Sequence, residues 1–157
     1  MAFTIDLKGK VVLITGGISG IGLGASKQFA EAGATLIACA ELAAEEDIVV
    51  SFLAEMVPYQ QRTYYYEADV SKKTAIKKLA MLLFQEHGRL DILVSNAGQN
   101  VFKGLDHCTL EDWNRNSVLN LASHWLLEQS LKPLLAQATP GVIIVMASNH
   151  AYASIPG

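Results

Sequence analysis

Eight residues, Thr15-Gly16-Gly17-Ile18-Ser19-Gly20-Ile21-Gly22, stand between an apolar run and a helical pattern, and their small size suits one kind of chemistry. A pyrophosphate is held by backbone, and backbone can come close only where side chains are missing. On this reading Gly16 turns the chain sharply, Gly20 lets backbone approach the phosphates, and Gly22 lets helix pack close to strand. Ser19, Gly20 and Ile21 then lead into a helix whose free N–H groups and positive dipole end favour an anion. A glycine pattern alone is weak evidence, because tight turns use glycine for many reasons. Between a strand and a helix, at the start of an alternating chain, it becomes a strong sign of a dinucleotide site.

An acidic residue about 20 positions past such a loop accepts the ribose hydroxyls of NAD, whereas NADP needs a cation there. Glu41 stands close to that distance, and no lysine or arginine occurs between Lys27 and Arg62. The cofactor expected from these residues is NAD, with NADP as the alternative.

The elements that must position this loop follow from apolar runs and their breaks. Residues 10–14, 35–40, 63–68, 90–95 and 142–147 read as short strands, bounded by glycine, proline and polar residues. Between them, residues 21–32 read as a helix stopped by Gly33, and residues 42–57 as a helix ended by Pro58. Ser71 is placed to cap the next helix, whose stripe of Ile76, Leu79, Ala80 and Leu83 runs to Gly88. Thr109 and Asp112 form a capping-box pattern that opens a long helix carrying Trp113 and Trp125, both expected in the core. Strands of this length alternating with helices predict an α/β fold: a Rossmann-like, doubly wound parallel sheet, order 3-2-1-4-5, helices on both faces. No linker or repeat divides the chain, so residues 1–157 read as one domain.

Twelve basic against fifteen acidic residues give a net charge of −3, which offers no field for nucleic acid or an anionic membrane. No apolar run approaches the roughly 20 residues of a membrane span, and the expected location is the cytoplasm. Cys39 and Cys108 have no metal-ligand or disulfide spacing and read as buried or half-buried thiols in a reducing compartment. His87, His107 and His124 form no ligand pattern either, so no metal is expected.

The spacing Gly-x-x-x-Gly-x-Gly after Thr15 resembles the short-chain dehydrogenase/reductase family, and four further matches follow in order. They are Ala68-Asp69-Val70 after the third strand, Asn96-Ala97-Gly98 after the fourth, Asn120 seven residues past Trp113, and Gly141 through Ser148. Each has an ordinary reading by itself: turn residues at Asp69, Asn96 and Gly98, an incidental polar position at Asn120, a strand-end serine at Ser148. The ordered set carries the resemblance. It implies that Asp69 and Val70 line the adenine site, and that Asn96, Ala97 and Gly98 border the cofactor. It further implies hydride transfer between a nicotinamide and a carbonyl or alcohol carbon of a small-molecule substrate. Ser148 and Asn120 become the implied catalytic residues, Ser148 bonding the substrate oxygen and Asn120 holding a water at an irregular helical turn. The family's acidic position aligns with Ala40, so Glu41 stands one place out.

The family's proton-transferring tyrosine, with a lysine four residues later, falls about a dozen residues after the serine. Tyr152 follows Ser148 too closely, and the position four beyond it is Pro156. His150 has no nucleophile to serve. The expectation is a C-terminally truncated member, inactive as it stands, whose residues 142–147 form an exposed apolar sheet edge. The family's dimers and tetramers suggest a homo-oligomer for a full-length form. The rival expectation is a non-catalytic remnant that binds nucleotide or a partner in the same groove.

Overall fold

Five apolar runs become five parallel strands because the helices between them carry the chain back to the same end of the sheet. The computed structural model describes residues 5–101, 103–104 and 106–148. In it β1 (Val11–Thr15), β2 (Thr35–Ala40), β3 (Thr63–Glu67), β4 (Ile92–Ser95) and β5 (Val142–Val145) lie in the order β3-β2-β1-β4-β5. Every pairing is parallel, with Leu13 opposite Ile37 on one side and Leu93 on the other. The helices are α1 (Gly20–Glu31), α2 (Asp47–Glu55), α3 (Lys73–Glu86), α4 (Leu110–Ser117) and α5 (Ser123–Leu135).

Side-chain alternation along each strand divides the core in two. Val11 and Leu13 of β1 point into a cluster with Ile76, Leu79 and Leu83 of α3 and Leu127 and Leu131 of α5. Val12 and Ile14 point into a second cluster, with Ala30 of α1 and Val49 and Phe52 of α2. The central strand therefore reads as a continuous apolar run, because both of its faces are covered. Ala80 packs at the margin of its predicted stripe.

Asp91, one residue before β4, ties the bottom of the sheet together. Its side chain is 2% exposed and accepts from the Val11 backbone N–H at 3.0 Å, Lys10 Nζ at 3.2 Å and Arg89 Nε at 2.9 Å.

Several expectations are corrected. The second helix begins at Asp47, not residue 42, because the Leu42 carbonyl accepts from the Tyr65 hydroxyl at 2.5 Å and residues 43–46 form a turn. It ends at Glu55, and Pro58 sits in the first turn of a 3-10 segment, Val57–Arg62, where its missing N–H costs nothing. Ser71 does not cap α3: its hydroxyl donates to Asp69 Oδ1 at 2.6 Å, and Lys72 holds the N-cap position. Trp113 and Trp125 are not core residues, being 65% and 60% exposed. They lie on the outer face of α4 and α5, whereas Leu127, Leu131 and Leu134 take the inner one. Cys39 is buried as expected, and burial pushes its thiol up to about 12, but Cys108 is exposed.

The capping box is present. Thr109 Oγ1 accepts from the Asp112 N–H at 3.1 Å, and the Thr109 N–H donates to Asp112 Oδ2 at 3.0 Å. Among the described residues β5 is one edge of the sheet, and its four residues are each 39–44% exposed.

Candidate functional site

In a doubly wound sheet the chain leaves the central strand in opposite directions, and the C-terminal strand ends open a crevice at that point. Here β1 is flanked by β2 and β4, so the crevice lies beyond Thr15 and Ser95. The glycine loop and Asn96-Ala97-Gly98 meet there.

Gly16 and Gly20 have φ of +63° and +52°, a region that side chains disfavour. A Cβ on Gly20 would meet nothing within 4 Å, so this turn faces outward with open space before it. Gly22 is the opposite case, since a Cβ there would come 2.0 Å from the Gly16 carbonyl oxygen and 2.7 Å from Asn96 Nδ2. Helix α1 is thereby held tight against the turn. Ser19 takes the N-cap position in extended geometry without a side-chain cap bond, leaving the first-turn N–H groups to a ligand. Ile21, 72% exposed, is the one large apolar side chain of this loop that faces out.

Asn96 does not aim its amide at the crevice. Its Nδ2 donates to the Thr15 carbonyl at 2.9 Å and the Gly16 carbonyl at 3.3 Å, which fixes the loop. Thr15 completes the clamp, and no role was assigned to it from sequence. Its buried Oγ1 accepts from the N–H groups of Asn96 at 3.0 Å and Ala97 at 2.9 Å. A threonine ending a strand gives no signal of this by itself, because the two donors lie more than eighty residues away. Thr15→Val should cost about 1–3 kcal/mol by leaving both donors short of a partner, while Thr15→Ser should retain most of the stability. Equilibrium urea denaturation of both variants checks this.

Next to the clamp is a cavity of about 250 Å³ lined by Gly16, Glu41, Asp69, Val70, Ala97 and Gly98 together with Cys39, Ala40, Ala68, Gln99 and Leu119. Six residues picked out from sequence thus share one wall-to-wall space. Burial raises the Asp69 carboxyl, but bonds from the Ser71 hydroxyl, Lys72 and the Ser71 backbone outweigh it and hold the group below its ordinary range. Among the described residues no lysine or arginine lines this cavity.

Asn120 lies in a π-helical segment, Val118–Ala122, between α4 and α5. The Ser123 N–H reaches back to the Val118 carbonyl, and the Ser123 hydroxyl satisfies the displaced Leu119 carbonyl at 2.6 Å. Such a widened turn is the irregularity expected here, and π-bulges are frequent at functional sites. Asn120 Oδ1 accepts from the Gln99 N–H at 2.9 Å and Nδ2 donates to the Gln99 carbonyl at 2.8 Å. Ser148 is exposed and lies three residues past β5, on the same strand-end side of the sheet. His150, Tyr152 and Pro156 lie outside the described residues. A pair that sequence did not reveal is Ser95 and His124, with Oγ and Nδ1 2.6 Å apart. Ser95 is fully buried, so this contact fastens α5 to β4 and offers no nucleophile to a substrate.

The short chain dehydrogenase family model matches residues 10–157. This chain belongs to the short-chain dehydrogenase family. It is 32% identical over 149 residues to a D-threitol dehydrogenase of Mycolicibacterium smegmatis, a match covering 95% of this chain and 56% of the relative. It is 34% identical to a hydroxynaphthalene reductase-like protein of Metarhizium guizhouense, covering 91% and 52%. Among solved structures it is similar to Pseudomonas aeruginosa RhlG in an NADP active-site complex, with TM-score 0.88, 28% identity and coverage of 100% and 61%. A metagenomic short-chain oxidoreductase in complex with NADP gives TM-score 0.85 and 27% identity, covering 95% and 66%. The chain thus spans about half the length of the curated relatives it matches. Among the described residues no helix is long and apolar enough to cross a membrane, and no three His, Cys, Asp or Glu gather as metal ligands. As a member of the short-chain dehydrogenase family it carries the family's fold, with the crevice at the expected switch point.

Proposed function

We propose that this chain is the cofactor-binding part of an NAD-dependent oxidoreductase acting on a small carbonyl or alcohol, working in the cytoplasm. The observation that carries the reading is the continuity between the open turn at Gly16–Gly20 and the cavity bearing Glu41 and Asp69. The fit is geometric as well as chemical: Gly22 leaves no room for a side chain, and Gly20 leaves room for a ligand.

The first-turn N–H groups of α1 would hold the pyrophosphate, Glu41 the adenosine ribose, and Asp69 with Val70 the adenine edge. Asn96 and Thr15 keep the loop in place, and Ala97 and Gly98 form the floor. Bound there, a nicotinamide dinucleotide supplies hydride chemistry. Ser148 would donate a hydrogen bond to the substrate oxygen as charge develops on it, and Asn120 Oδ1 retains a lone pair for a water. No tyrosine of these 157 residues is followed four positions later by a lysine, so these residues by themselves should bind nucleotide without turnover.

NAD is favoured over NADP on the lining of the cavity, where a 2′-phosphate would meet Glu41 and, among the described residues, no cation. NADP in the solved relatives makes it the rival. By fluorescence titration we expect NADH to bind at least about tenfold more tightly than NADPH, a difference of about 1.4 kcal/mol. Glu41→Arg should reverse the order. A folded chain that binds neither nucleotide would sink the reading, and a chain preferring NADPH would sink its NAD part.

A further inference from the structure

Asn120 is one of two asparagines that meet where α4 passes into the π-helical segment. Asn116, half-buried in the last turn of α4, places its Oδ1 against Asn120 Nδ2. Residues four apart on a helix face one another, so this contact is built into the local geometry. An asparagine side chain has two N–H donors and one carbonyl acceptor with two lone pairs. In Asn120 both donors are occupied, one by the Gln99 carbonyl and one by Asn116, and one lone pair is taken by the Gln99 N–H. The Gln99 backbone is therefore gripped at both its polar groups by a side chain that is itself held from behind.

The gripped segment forms part of the cavity. Gly98, Gln99 and Leu119 all line it, and a Cβ on Gly98 would come 2.8 Å from Asn120 Oδ1. Rotation of the Asn120 amide would set its oxygen against the Gln99 carbonyl and its nitrogen against the Gln99 N–H, two repulsive contacts. Freed of Asn116, Asn120 keeps only its bonds to Gln99, which solvent at this exposed loop can replace.

We propose that Asn116 is a positioning residue for the nucleotide pocket: by accepting from Asn120 it fixes the amide that clamps Gln99 against the cavity. Its effect on ligand affinity rests on the nucleotide-binding reading above, but its effect on the loop does not. The same contact leaves Asn120 able only to accept a further hydrogen bond, so a water or substrate group reaching it must be a donor.

The test uses Asn116→Leu, which removes the acceptor at similar size, and Asn116→Asp, which retains one. Amide hydrogen exchange is followed at Gln99, with the β1 and β2 amides as a control for global unfolding, and NADH affinity is titrated in parallel. For Asn116→Leu we expect Gln99 exchange to accelerate at least about tenfold while the β1 and β2 amides hold. NADH affinity should fall about three- to tenfold, and Asn116→Asp should restore both readouts. Unchanged Gln99 exchange in the leucine variant overturns the proposal, as does an aspartate variant no better than leucine. Faster exchange with unaltered NADH affinity overturns the link to the pocket. If the parent chain binds no NADH, the nucleotide reading has failed, and Gln99 exchange still decides whether Asn116 holds the clamp.

Discussion

Gly22→Ala should abolish measurable nucleotide binding, with affinity falling by at least about 100-fold, or about 3 kcal/mol. One methyl group has this effect because of where it would stand. Its carbon would lie 2.0 Å from the Gly16 carbonyl oxygen and 2.8 Å from the Gly16 carbonyl carbon. These are backbone atoms at a turn of φ +63°, and Asn96 Nδ2, which bonds that carbonyl at 3.3 Å, would itself lie 2.7 Å from the added carbon. The strain must therefore move α1 away from the turn or undo the Asn96 clamp. Either displaces the N–H groups meant for phosphate. The control is two residues on: Gly24 lies on the exposed face of the same helix with nothing within 4 Å of its notional Cβ. Gly24→Ala should leave affinity unchanged and raise stability by about 0.5–1 kcal/mol, the usual helical gain. NADH titration and thermal melts of the two variants separate close packing from helix propensity. Equal affinities for Gly22→Ala and the parent chain would refute the cradle.

The largest expected loss of stability is at Asp91. Asp91→Ala removes an acceptor shared by the Val11 N–H, Lys10 and Arg89, and leaves the Val11 N–H unpaired beside two uncompensated cations. We expect about 3 kcal/mol, reduced from a fully buried pair because Lys10 and Arg89 are about 40% exposed and can rehydrate. For a domain of this size that lowers Tm by about 6–12 °C. The pH dependence has a definite sign. Burial raises the Asp91 carboxyl, but the bonds from Arg89, the Val11 N–H and Lys10 outweigh it and hold the carboxyl below its ordinary range. The folded state thus binds the Asp91 proton less readily than the unfolded chain. The stability this gives is complete above the ordinary carboxylate range and is lost as pH falls through about 4 and below. Melts at pH 7 and pH 3 should show the gap between Asp91→Asn and the parent chain narrowing in acid. A gap that stays constant would mean that charge is not what Asp91 contributes.

The role of Gly22 is legible in the sequence, whereas Asp91 joins distant parts of the chain, and there sequence reading meets its limit. The strands were legible because Val11–Thr15 and Thr35–Ala40 are apolar on both faces, which only a covered parallel sheet explains. Their order followed from the strand-helix alternation of a doubly wound sheet, and the glycine loop was legible because few other residues tolerate its geometry. Six residues of the cavity wall, from Gly16 and Glu41 to Asp69 and Gly98, stand at strand ends that the sequence singles out, whereas Cys39, Ala40, Ala68, Gln99 and Leu119 line it without having been assigned that role.

Local patterns failed where a contact from elsewhere took a polar group. Helix α2 starts late because Tyr65, twenty-three residues away, occupies the Leu42 carbonyl. Ser71 is no cap because Asp69 claims its hydroxyl. The two tryptophans were placed in the core by size alone, whereas the π-bulge and the leucines of α5 set which face of that helix is covered.

By itself, then, the sequence determined the repeating β-α unit, the sheet order and the glycine loop, because these depend on periodicity and on backbone freedom, and its ordered motifs carried the resemblance to the family. Only the tertiary structure decided that Asn96 and Thr15 clamp the loop, and that Asn120 grips the Gln99 backbone at the π-bulge. Such roles depend on hydrogen-bond partners that the fold brings together across the sheet, and no spacing along the chain encodes which donor meets which acceptor.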